Sequence, residues 1–112
     1  MNIKEFCSRY EAGQRDFRNL NLMAANLRNL NLMGANLSGA NLTKANLTRT
    51  NLSRANLTGA ILTGANLTET NLTQANLKGA NLTDTSLADA NLSQAYLRGA
   101  LTADGIHSGT VS

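Results

Sequence analysis

From residue 17 to residue 97 the chain sets a large apolar residue at every fifth position. Sixteen of these 17 sites are Leu, and Phe17 is the exception. An odd period of five excludes the simplest forms. On an α-helix each step would rotate the side chain by about 140°, scattering Leu around the whole surface. On one continuous strand, successive Leu would point to opposite faces. Neither form gathers them into one core. A backbone that bends once per unit, always the same way, turns every Leu toward a common axis.

The residues around Leu fit that geometry. Two before it stands Ala at 11 of 17 sites, with Thr at 50, 70 and 85; one before it stands Asn at 13, and one after it Ser or Thr at 10. The unit Ala-Asn-Leu-Ser/Thr-x thus runs over residues 15–99. Its small residue and its Leu lie two apart and share the inner side of an extended segment, while Asn and Ser/Thr face out. Gly39, Gly59, Gly79 and Gly99 recur every 20 residues, as do Thr50 and Thr70, which suggests four units per coil. The buried Thr hydroxyls require partners such as nearby carbonyls. The outward Asn amides are expected to hydrogen-bond in ladders from coil to coil.

Units such as Ala35-Asn36-Leu37-Ser38-Gly39 and Ala65-Asn66-Leu67-Thr68-Glu69 closely resemble the pentapeptide repeat family. The opening, Met1 to Phe17, is similar to small cyanobacterial members. The resemblance implies an all-β solenoid: a right-handed quadrilateral parallel β-helix, here of just over four coils, with a short N-terminal α-helical cap. The expected organisation is a cap over residues 1–14, the repeat over 15–99 and a partly irregular tail over 100–112. The family is defined by its fold and carries no single activity. Some members imitate duplex DNA and act on DNA gyrase.

At the N-terminus Ile3, Phe6, Cys7 and Tyr10 have the spacing of one helical face, with Asn2 as N-cap and Gly13 as stop. A helix over about residues 3–11 would cover the first coil, with Cys7 as a small core hydrophobe. After Gly99 the repeat decays through Leu101, Ile106 and Val111, leaving Leu82, Leu87, Leu92 and Leu97 to line the last coil. A monomer is favoured there over an end-to-end dimer, because Tyr96 and Leu101 can shield part of that end.

Chemistry is sparse. The single Cys and the single His, His107 in the tail, are 100 positions apart, and no phosphate loop, dinucleotide fingerprint or metal-spaced cluster occurs. Glu69, Asp84 and Asp89 fall on outward positions. Neither an enzyme nor a cofactor, metal or small-molecule substrate is expected. No run of 18 apolar residues exists, and the first ten carry Lys4, Glu5 and Arg9, so neither a membrane span nor a signal peptide is read and a cytoplasmic location is expected.

The net charge is +3, with residues 1–60 basic and 61–112 slightly acidic. Lys44, Arg49 and Arg54 fall on three successive corners of one coil, and Arg49 stands one coil from Glu69. Met23, Met33, Ile61 and Tyr96 break the outward polar rule. The candidate contact residues are Lys44, Arg49, Arg54, Ile61 and Tyr96. They suit a protein-interaction or scaffold module with an unknown protein partner. The alternative is a DNA-mimic modulator of gyrase, which the positive charge disfavours. Direct nucleic-acid binding is not expected from a charge this modest and so few aromatic residues.

Overall fold

The computed structural model describes residues 1–103 and the backbone of 105–106 and 110–111. Helix α1 spans Ile3–Glu11. Asn2 caps it through Oδ1, which accepts the Glu5 N–H at 2.8 Å, and Glu5 pairs with Arg9 one turn on. The chain leaves the helix through Gly13 at φ 104°. Phe6 is fully buried and meets the Phe17 ring edge-on, with centroids 4.6 Å apart. Ile3 and Tyr10 pack beside it against the same core.

From Asp16 onward the chain passes over itself every 20 residues. Parallel bridges join Asp16 to Asn36, Asn21 to Asn41, Asn26 to Asn46 and so on to Asn81 with Leu101. Each layer therefore holds four five-residue units. Side one carries Phe17, Leu37, Leu57, Leu77 and Leu97; side two Leu22, Leu42, Leu62 and Leu82; side three Leu27, Leu47, Leu67 and Leu87; side four Leu32, Leu52, Leu72 and Leu92. The Leu staircase is buried from Leu22 to Leu82, together with the Ala column from Ala35 to Ala80. Leu20 and Leu30, where later layers have Ala, are half-buried against this core in the first layer.

One unit shows how the backbone is satisfied. The Leu57 N–H donates to Asn76 O (2.7 Å), Gly59 N–H to Lys78 O (2.9 Å), and Asn56 N–H to Ala35 O in the preceding layer (2.9 Å). Ala60 N–H closes the turn onto Leu57 O (3.0 Å). The fifth donor, Thr58 N–H, goes to the Oδ1 of Asn56 at 3.0 Å, and the Thr58 hydroxyl reaches the same oxygen at 2.6 Å. Every backbone donor of the unit is thereby used, as a buried backbone requires. Asn is thus a local turn-closer that receives its own unit's N–H, rather than a rung of the amide ladder expected between coils. The buried Thr50 and Thr70 hydroxyls donate to Leu27 O and Leu47 O, each at 2.7 Å, as their burial demands. Thr85 is half-buried and donates to Leu82 O, three residues earlier in the chain, at 2.8 Å.

The secondary structure corrects the all-β expectation. A right-handed quadrilateral parallel β-helix would carry strands along its sides, whereas residues 16–94 contain only isolated single-residue bridges between turns. The named strands are β1 (Ala95–Tyr96), β2 (Leu101–Thr102), β3 (Gly105–Ile106) and β4 (Thr110–Val111), two residues each, and they pair antiparallel as β1 with β4 and β2 with β3. Among the described residues the one longer element is α1. The reason lies in the unit length. The Asn position makes both bridge hydrogen bonds, the next two positions after Leu form the turn, and no second consecutive residue is left to extend a strand. The chain is a stack of bridged turns with one helix, not an all-β solenoid.

The turn also imposes a backbone constraint that was not read from the sequence. The residue x, two after Leu, lies at positive φ in every unit from Asn19 to Gly99. L-residues enter this left-handed region at a cost of roughly 1–2 kcal/mol, and β-branched ones most reluctantly. No Val, Ile or Thr occupies x. At Gly59 (φ 66°) an added Cβ would meet nothing within 4 Å, so Gly59→Ala isolates the backbone term. We expect it to lower unfolding free energy by about 1 kcal/mol in denaturant titration.

Candidate interaction surface

The structure distributes the five candidate residues over four sides. Lys44 and Ile61 share side two, Arg49 is on side three, Arg54 on side four and Tyr96 on side one. All five are exposed. Arg49 is engaged between layers: its Nε donates to Asn29 Oδ1 at 3.0 Å, and its Nη1 stands 3.7 Å from Glu69 Oε1. Both charged groups are half in solvent, so this pair contributes about 0–1 kcal/mol. Arg54 begins a polar ladder over three layers, donating to Gln74 Oε1 (3.0 Å), while Gln74 donates to Gln94 Oε1 (3.0 Å). Lys44 makes no ion pair among the described residues, and its stem lies above Gly64 in the next layer.

Ile61 occupies an Asn place and leaves a gap in the donor scheme. Among the described residues the Thr63 N–H has no acceptor, whereas the Thr43 and Thr83 N–H groups have Asn41 and Asn81. Ile61→Asn should supply the missing oxygen and raise stability by about 0.5–1 kcal/mol, visible as a higher melting temperature. Ile61 is thus retained at a cost to the unit that holds it.

Tyr96 fills the Asn place on side one and is 46% exposed. The Lys78 ammonium lies 5.6 Å from the centre of its ring, within the reach of a cation–π contact. Lys78 and Arg98 both stand where most units have Ser or Thr, 20 residues apart, so they are stacked in adjacent layers. These two cations escaped the sequence reading. Their signal was available as two departures from the Ser/Thr rule at the 20-residue spacing.

Toward the N-terminus, Arg18 grips Asp16 through two hydrogen bonds of 2.9 and 3.0 Å. The Asp16 carboxyl is held below its usual range, first by the Arg18 side chain and then by the Arg18 backbone N–H. Its contribution to stability is present above the ordinary carboxylate pKa and lost as pH falls through the lowered value, and the pair's exposure to solvent keeps it small. Cys7 is half-buried beside Tyr10 and Glu11 on a groove about 250 Å³ in volume, floored by Leu30–Leu32. His107 lies outside the described residues. Among those described, no three His, Cys, Asp or Glu side chains are grouped to hold a metal ion, and no helix is long and apolar enough to cross a membrane.

A stack of five-residue turns around a Leu core, with most of its variation at outward positions, defines a structural repeat protein. The model of the family described as pentapeptide repeats (8 copies) matches residues 16–39, 35–74 and 65–101, and the chain belongs to that family. Among solved structures it is similar to a pentapeptide repeat protein from Nostoc Pcc 7120, at 35% identity over 99% of this chain and 88% of that one, with a TM-score of 0.50. It is similar also to a pentapeptide repeat protein from the Arabidopsis thaliana thylakoid lumen, at 36% identity over 77% of this chain and 63% of that one, TM-score 0.51. HetL of Nostoc sp. strain PCC 7120, a pentapeptide repeat protein involved in heterocyst differentiation regulation, is 33% identical over 96% of this chain, with a TM-score of 0.48. The chain spans 57% of HetL's length. No curated protein matches the chain.

Proposed function

We propose that the chain is a cytoplasmic protein-interaction or scaffold module that acts through its outward side chains. The observation that carries this reading is that the backbone donors of an Asn-bearing unit such as 56–60 are all met without an outward side chain other than Asn. Backbone carbonyls and the Asn oxygens serve the donors, so the x positions and the positions after Leu can vary in side-chain chemistry without unfolding the stack. Arg49 and Arg54 are spent on ladders between layers, which leaves Lys44, Ile61 and Tyr96 as the contacts with least structural reason for their identity. A DNA-mimic role at gyrase draws no support from a net charge of +3.

The test is cross-linking and affinity capture from the native lysate with two baits. One is the wild type, and the other carries Lys44→Gly, Ile61→Asn and Tyr96→Asn, which return each site to the residue commonest at its place. A defined protein held by the first bait and lost from the second supports the module and these contacts. Equal retention by both overturns the contact residues, and capture of nothing above background overturns the module.

A further inference from the structure

We infer that side one, near its C-terminal end, is a docking surface for an extended acidic peptide segment, centred on Lys78, Tyr96 and Arg98. Lys78 and Arg98 are stacked in adjacent layers, where Gly79 N–H donates to Arg98 O at 3.0 Å. Layers joined by such bonds lie about 4.8 Å apart. Like charges placed directly opposite across such a spacing destabilise the fold that holds them. No carboxylate relieves them: among the described residues the ion pairs are Arg9–Glu5, Arg18–Asp16 and Arg49–Glu69. The described acidic groups of the same half, Glu69, Asp84 and Asp89, stand on the corners of sides two and three. This half of the rod is therefore electrically two-sided, with its cations collected on side one.

Two further features fit a peptide. Tyr96 offers a half-exposed aromatic face beside the Lys78 ammonium, ready to cover the apolar stem of a Glu side chain. The adjoining corner is formed by Gly59, Gly79 and Gly99, and an added Cβ at Gly59 or Gly79 would meet nothing within 4 Å, so an incoming main chain can approach the backbone closely. A nucleic acid fits less well, because two cations and one aromatic ring supply neither a phosphate track nor a series of stacking platforms.

This inference rests on the interaction-module reading, and its test is independent of the lysate experiment. A fluorescein-labelled octapeptide of alternating Glu and Asp is titrated with the full chain at low salt and followed by anisotropy. The wild type is expected to bind. Lys78→Ser with Arg98→Ser should weaken binding at least fivefold, while Lys4→Gln with Arg28→Ser, which removes the same charge elsewhere, should change it less than twofold. The Lys78/Arg98 variant should melt no lower than the wild type, since it relieves a repulsion. Equal weakening by both double variants, no wild-type binding at millimolar protein, or a large fall in melting temperature for Lys78/Arg98 would overturn the assignment. So would tighter binding of a labelled ten-residue oligo-dT through the same two cations. Loss of peptide binding alongside a partner still captured from lysate would remove this surface and leave the module standing.

Discussion

Leu57→Asp is expected to abolish the folded state, whereas Thr58→Asp, one residue along, should leave a protein that melts within a few degrees of the wild type. Leu57 is about 1% exposed in the middle of the staircase, with Leu37 and Leu77 above and below it on the same side. A carboxylate there either stays charged without a partner or takes up a proton and still lacks one, and it also removes the packing of a whole side chain. Truncation of a buried Leu alone costs about 2–5 kcal/mol, and an unpaired buried charge adds several more. That sum approaches the total stability of a small domain, about 5–15 kcal/mol. Thr58 faces outward and loses only its hydroxyl bond to Asn56, worth about 1 kcal/mol. Circular dichroism and thermal melts of the two purified variants decide the matter. Equal damage at both positions would refute the inside and outside assignment.

Phe6→Ala is expected to cost about 3–5 kcal/mol, the range for a fully buried Phe. Helix α1 has one fully buried side chain, and it rests on Phe17, the residue that starts the staircase. In a stack where each layer touches only its neighbours, loss at one end should spread gradually. Amide hydrogen exchange should therefore quicken first in residues 16–35 and last in residues 56–75. A loss below about 1 kcal/mol, or uniform exchange along the stack, would show that α1 does not cover the core. Tyr10 adds a second tether through its hydroxyl, which donates to Met33 O at 2.7 Å. Its ring lies under the Arg15 guanidinium, 3.7 Å from the ring centre.

The inward Leu and Ala columns, the 20-residue return, the helix at Ile3–Glu11 and the Arg49–Glu69 pair were all legible in the residues, because each follows from spacing. Strand content was not. Alternation over three residues of the unit reads as an extended segment, but the following two-residue turn interrupts the ladder before a second bridge forms. The role of Asn was missed for a related reason. An outward amide suggests a partner in the next coil, yet its Oδ1 sits closest to the N–H two residues on, as at Asn36 and Ser38 (3.1 Å). The positive φ at x left a trace in the absence of β-branched residues there, which carries meaning only once the turn is known. The candidate surface was half legible. Lys44, Arg49 and Arg54 stood out as three successive corners of one coil, and such corners face different ways. Lys78 and Arg98, farther apart in the chain, are the pair that the fold brings together.

The strands at the C-terminal end have a consequence for how copies of this chain behave when crowded. A rod built by parallel accretion is a natural template, since each finished layer presents the pattern that the next would copy. Here β3 folds back on β2 and β4 on β1 in the opposite direction, so backbone at Leu101–Thr102 and Ala95–Tyr96 is paired in a sense that a parallel newcomer cannot continue. Reversal of chain direction acts as a stop mark on two sides of the rod, which works against runaway fibre growth.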